Sequence, residues 1–239
     1  MPKIEIVLSM ALYHQRLVKR NTITVIVNVL RATTSIVAAL DYGVRSIIPV
    51  SSSAEAEAIK EVGYLLAADQ KGKLLDIADI AASASDFWND RLKGKEIIYL
   101  SASTTKALRL SREESKAVVL GSFANLSSLA NYLHQQGKNI NIICTGYKDL
   151  PALEDQLLAG ALCEKLIEKG KYKLDNDTVI ASIDLWKIAQ PKMLDYQKKL
   201  DYHKRFPIPL SGEVLKYTFT PDSTKLIPML HFNHITALR

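Results

Sequence analysis

The feature that most constrains this chain is the exchange between short apolar runs rich in β-branched residues and longer stretches with helical periodicity. Strands are expected at Ile4–Leu8, Thr24–Val29, Ser46–Val50, Tyr64–Ala67, Glu96–Leu100, Ala117–Leu120, Ile140–Cys144 and Lys225–Leu230. Most of these runs are continuously apolar rather than alternating, as strands are when helices cover both sheet faces. Helical patterns fall between them. Thr33–Asp41 is followed by Gly43 as a stop signal. Ser52 or Ser53 caps a run through Glu61, and Asn125 or Ser127 opens a helix to His134. Leu153–Lys169 is strongly periodic, and Asp177–Lys204 reads as one long helical stretch that Pro191 kinks or splits. The alternation predicts an α/β fold with a largely parallel, mixed sheet. The Pro-rich turn Phe206–Pro209 sets off a final helix–strand unit. No linker or charge block marks a boundary, so residues 1–239 are expected to form one domain.

Composition narrows the class. Of 239 residues, 48% are hydrophobic, and the mean hydropathy is +0.02, as in a soluble globular protein. Cys144 and Cys163 sit in apolar runs, too few for a disulfide framework and without zinc spacing, which suits a reducing compartment. Arg16, Lys19 and Arg20 follow the first apolar run, whereas a secretory signal carries its charges in front. No apolar run approaches the roughly 18 residues of a membrane span. A cytoplasmic protein is expected.

The net charge is +6. Such a balance suits nucleic acid or small anions, but no nucleic-acid motif accompanies it. The densest basic cluster, Lys198, Lys199, His203, Lys204 and Arg205, reads either as a solvated helix face or as an anion patch.

In an open α/β sheet, ligands bind beyond the carboxyl ends of the strands. After the second strand comes Leu30-Arg31-Ala32-Thr33-Thr34. Arg31 suits bidentate capture of an oxyanion, and Thr33 and Thr34 start a helix whose free N–H groups favour an anion. The other reading is a capped helix and a surface arginine. After the fifth strand, Ser101-Ala102-Ser103-Thr104-Thr105 is either an oxyanion cradle or a Ser/Thr-rich turn. Gly121–Asn125 follows the sixth strand. Glu154 and Asp155 open a helix where acids are favoured by the dipole alone, or where they hold Mg²⁺. A Walker loop, a dinucleotide fingerprint and a G-x-S-x-G elbow are all missing. The histidines at 14, 134, 203, 231 and 234 lack metal-ligand spacing.

Taken in order along nearly the whole chain, these segments resemble the 2-phosphosulfolactate phosphatase family. Leu30–Thr34 and Leu153-Glu154-Asp155 to Ala159-Gly160-Ala161 are the most specific parts of the resemblance. It implies a three-layer α/β/α sandwich, Mg²⁺, and hydrolysis of a small phosphate monoester in coenzyme M biosynthesis. It implies catalytic roles for Arg31, Asn28 and Thr105. Substrate contacts would come from Thr33, Thr34, Ser103, Thr104, Ser122 and Asn125, and metal ligands from Asp69, Glu154 and Asp155. A homodimer is the default expectation for such an enzyme.

The chain departs from the family at its expected site. Asn28 stands where the family has Asp. Asp69 or Gln70 stands where it has Glu. Ala81-Ala82-Ser83-Ala84 replaces Gly-Asn-Ser-Pro, and Ala102-Ser103-Thr104-Thr105 replaces Thr-Asn-Gly-Thr. Losing a carboxylate at position 28 weakens a prospective Mg²⁺ shell. The alternative reading is therefore a catalytically impaired member that binds an anionic ligand or a partner protein.

Overall fold

A computed structural model describes every residue except 16, 18–20, 175, 207 and 239. The charged positions 16, 19 and 20 and the proline at 207, used in the sequence reading, therefore lie outside the described residues. In chain order the elements are β1 (Ile4–Val7), β2 (Thr22–Val27), α1 (Ala32–Asp41), β3 (Ser46–Val50), α2 (Ser53–Lys60) and β4 (Leu65–Ala67). A small hairpin follows, β5 (Asp69–Gln70) and β6 (Lys73–Leu74), then β7 (Glu96–Leu100), α3 (Ala102–Glu114), β8 (Ala117–Gly121), α4 (Leu126–Gln136) and β9 (Asn139–Cys144). The chain closes with α5 (Leu153–Glu168), α6 (Asp177–Ala189), α7 (Met193–Tyr196), α8 (Gly212–Phe219), β10 (Pro228–His231) and β11 (His234–Ala237).

Nine strands form one mixed sheet in the order β1-β9-β2-β8-β10-β11-β3-β7-β4. The strands β1, β9, β2 and β8 are mutually parallel, and so are β3, β7 and β4. Between these blocks lies the β10–β11 hairpin, antiparallel to both, with Met229 opposite Val119 and Ile235 opposite Ile47. The blocks are thus nominally opposed. Successive strands rotate by about 20–25°, so the four steps from β2 to β3 accumulate roughly a right angle. The loops that follow β2 and β3 line one crevice.

Both faces of the sheet are buried, as the continuous apolar runs require. Along β2, Ile23, Val25 and Val27 join one apolar core with residues of α4, α5 and α6. Ile26 points the other way, into a core with Ile36 of α1 and Leu108 of α3. In the second block Ile48, Val50 and Ile98 meet Ala56 of α2. The result is the expected three-layer α/β/α sandwich. Its tightest helix contact is between α5 and α6, where a Cβ at Gly160 would lie 2.0 Å from the Ser182 carbonyl oxygen.

Three boundaries differ from the sequence reading for clear reasons. The second strand ends at Val27 because the Val29 N–H is given to Asp155 (2.7 Å) and its carbonyl accepts from Thr34 Oγ1 (2.9 Å). The long helix expected over 177–204 ends at Ala189. A 3-10 turn containing Pro191 follows, and short turns carry the chain to Lys204. The strand expected over Lys225–Leu230 is β10, which starts at Pro228, since the Leu226 N–H is held in a turn by Thr224 Oγ1 at 3.1 Å; β11 after it was not expected.

Candidate active site

A cavity of about 500 Å³ opens at the carboxyl ends of strands from both blocks. The loops after β2, β3, β7 and β9 all contribute to its wall, together with the starts of α2, α3 and α5 and the segment around Arg205.

Arg31 occupies the position before the first turn of α1, in the loop after β2. Its guanidinium pairs with the buried carboxylate of Asp69 and lies 4.8 Å from the centre of the Phe206 ring. Asp69 also accepts the N–H groups of Gly72 (3.0 Å) and Ala82 (3.3 Å). Arg31 is therefore fixed in the cavity wall by an acid that is itself held on two backbone donors. The neighbouring Asp86 carboxyl is raised above its ordinary value by burial, and the Arg31 charge only partly offsets this.

The opposite wall is built on α5. Glu154 and Asp155 occupy its first turn, both buried. Asp155 accepts from the N–H of Val29 (2.7 Å) and from that of Gly146 (3.1 Å), so it ties the loops after β2 and β9 together. Gly146 is required there: its φ is +65° and a Cβ would lie 2.2 Å from the Leu150 carbonyl oxygen. Burial pushes the Asp155 carboxyl up to about 8; the Glu154 charge adds to the rise, while the two N–H donors and Arg205 oppose it.

Glu154 is met by Arg205, which donates from Nη1 at 2.6 Å and Nη2 at 3.4 Å. Arg205 also pairs with the exposed Asp201 and lies 5.1 Å from the centre of the Tyr147 ring. The sequence grouped Arg205 with four other basic residues on one helix. The structure separates them: Lys198, Lys199, His203 and Lys204 are exposed, and Arg205 is buried in the cavity wall. Leu200 and Tyr202, packed into the core, hold its segment down.

Of the residues expected to contact substrate or act on it, Arg31, Asn28 and Ser103 line the cavity. The Asn28 amide donates to Thr104 Oγ1 (3.0 Å) and Ser103 Oγ (3.4 Å), bracing the β2 loop against α3. The others stand behind the wall. Thr33 Oγ1 accepts the Asn28 N–H at 3.1 Å, and Thr34 Oγ1 donates to the Val29 carbonyl. Thr105 Oγ1 donates to the Val50 carbonyl at 2.9 Å. Asn125 bonds the Leu120 and Leu226 carbonyls, and its side-chain oxygen accepts the Ser122 N–H. These side chains shape the loops; Thr33, Thr34, Thr104, Thr105, Ser122 and Asn125 do not face the cavity. Residues not foreseen as part of it are Ser51–Ser53, Tyr99, Tyr147, Arg205 and Phe206. Ser51–Ser53 follow β3 and could have been found by the strand-end rule.

The expected Mg²⁺ ligands Asp69, Glu154 and Asp155 already have partners within the chain. Asp69 is committed to Arg31 and two N–H groups, Glu154 to Arg205, and Asp155 to two N–H groups. Among the described residues no three His, Cys, Asp or Glu side chains come together as a cation site. The donor set does not fit a Mg²⁺ shell made of Asp69, Glu154 and Asp155.

The sequence model of 2-phosphosulpholactate phosphatase matches residues 8–233. This chain belongs to that family. A protein of Caldanaerobacter subterraneus subsp. tengcongensis named "Probable 2-phosphosulfolactate phosphatase" is 33% identical over 213 residues, 86% of each chain. One of the same name from Pseudothermotoga lettingae is 31% identical over 207 residues, covering 87% of this chain and 85% of its own. Another, from Microcystis aeruginosa, is 29% identical over 211 residues, 86% of this chain and 87% of its own. Among the described residues no helix is long and apolar enough to cross a membrane, and Cys144 and Cys163 are free and buried.

Proposed function

We propose that this chain is a phosphoric monoester hydrolase that takes a small phosphate ester of the 2-phosphosulfolactate type. One observation carries the reading: Arg31, held by Asp69, lines a polar cavity at the strand carboxyl ends in a chain of this family.

The chain's own groups have definable parts in that reaction. Arg31 gives one arm of its fork to Asp69 and keeps other N–H donors for phosphoryl oxygens. The first turn of α3, at Ala102 and Ser103, adds backbone donors and the positive end of the helix dipole. A water oxygen attacks phosphorus as the P–O ester bond breaks. Asp155, protonated near neutral pH because of its raised value, gives its proton to the departing oxygen and recovers one from the attacking water. The products are an alcohol and inorganic phosphate. No step is assigned to Mg²⁺.

The test is phosphate release from a panel of small monoesters that includes 2-phosphosulfolactate, with Arg31→Ala as control. Turnover that Arg31→Ala abolishes is the expected result. Equal turnover in the variant would remove Arg31 from the site.

A second reading, anion binding without turnover, is favoured by Asn28. The resemblance places an Asp there, and the amide is instead committed to Thr104 and Ser103. Folded protein that binds phosphate yet releases none from any ester would decide for it.

A further inference from the structure

Two guanidiniums line the cavity, and the second is in an unusual position. Arg205 is more than nine-tenths buried, yet its Nε–H has no hydrogen-bond partner among the described residues. A buried donor left open is costly, and this one belongs to a side chain in the wall of a polar cavity. Its two Nη groups meet Glu154, next in sequence to Asp155. The adjacent acids at the head of α5 are the place where a divalent cation was expected, and a positive charge from the chain already neutralises Glu154. On the β2 side, Asn28 brings no negative charge to attract a cation. The aromatic face of Tyr147 and the carboxylate of Asp201 fix the guanidinium in place.

We infer that Arg205 supplies from the chain itself the positive charge that a divalent cation would bring to Glu154, so that the cavity binds an anion without a metal. The Nε–H is closed off from solvent, and the anion takes it up by drawing the guanidinium toward the cavity that Arg205 lines. This inference rests on reading the cavity as an anion site.

The experiment is calorimetric titration of the purified protein with inorganic phosphate, once with a chelator and once with Mg²⁺, alongside a thermal-shift series in MgCl₂. Wild-type affinity is expected to be the same with chelator and with Mg²⁺, and MgCl₂ alone is expected to leave the melting temperature unmoved. Arg205→Ala is expected to bind phosphate roughly tenfold or more weakly without metal, the loss of one charge-assisted hydrogen bond. It is also expected to gain a Mg²⁺-dependent rise in melting temperature, because Glu154 is then unpaired. Wild-type binding that appears only with Mg²⁺ overturns the inference, and so does metal-free affinity unchanged in Arg205→Ala. If Arg205→Ala does not fold, the wild-type comparison decides alone. Loss of binding in Arg31→Ala but not in Arg205→Ala removes the role of Arg205 and leaves the anion site standing. Absence of phosphate binding under every condition removes the anion site itself.

Discussion

Arg205 meets Glu154 at the head of α5 through both of its terminal nitrogens, at 2.6 and 3.4 Å, and both residues are buried. The pair joins the C-terminal segment to the wall formed by the central loops. Removing one partner of a buried ion pair strands the other charge, which costs about 3–5 kcal/mol. Arg205→Ala is therefore expected to lose that much in urea unfolding. Arg205→Ala combined with Glu154→Gln is expected to lose less than the sum of the single changes. Additive losses would show that the two side chains do not interact.

Asp155 gives the protein a pH dependence of defined sign. Its value is raised to about 8, first by burial and then by Glu154, so the native state keeps a proton that the unfolded chain releases in the ordinary carboxylate range. Between those limits the native state binds more protons, and stability falls as pH rises. The wild type is expected to lose stability from pH 5 to pH 8 along a steeper slope than Asp155→Asn, whatever their absolute stabilities. Parallel slopes in denaturant midpoints across that range would contradict the raised value.

The α5–α6 contact has no room to spare. A Cβ at Gly160 would meet the Ser182 carbonyl oxygen at 2.0 Å and its carbon at 2.5 Å, and backbone cannot rotate away as a side chain can. Gly160→Ala is expected to cost about 1–3 kcal/mol or more, despite the better helix propensity of alanine. A thermal melt equal to wild type would mean that the two helices separate freely.

The parallel blocks were readable because burial on both faces leaves continuous apolar runs such as Ala117–Leu120 in β8, buried from Val118 onward. The antiparallel insertion was not. β11 is short, and its turn puts Phe232, an exposed aromatic residue, at φ +52° where Asn or Gly would have signalled a hairpin. At the cavity, Arg31 was legible because it lies in the short loop between β2 and α1. Arg205 was not, because its place depends on short turns after Pro191 and on the burial of Leu200 and Tyr202, which no helical periodicity encodes. The hydroxyl-rich loops looked like ligand cradles, whereas Thr33, Thr34 and Thr105 use their oxygens on neighbouring backbone.

Asn28 offers a gain-of-charge test. It neighbours Val29, whose N–H reaches Asp155, so Asn28→Asp would add a negative charge beside the acids of α5. The variant is expected to acquire a Mg²⁺-dependent rise in melting temperature. An unchanged response to MgCl₂ would place position 28 outside the reach of any cation at those acids.

The most direct measurement of the central claim is steady-state phosphate release from 2-phosphosulfolactate and related small monoesters by folded wild type, by Arg31→Ala and by Asp155→Asn. The account predicts release by wild type that falls to background in Arg31→Ala and drops sharply in Asp155→Asn. No release by wild type from any ester, with phosphate still bound in the cavity, would contradict it.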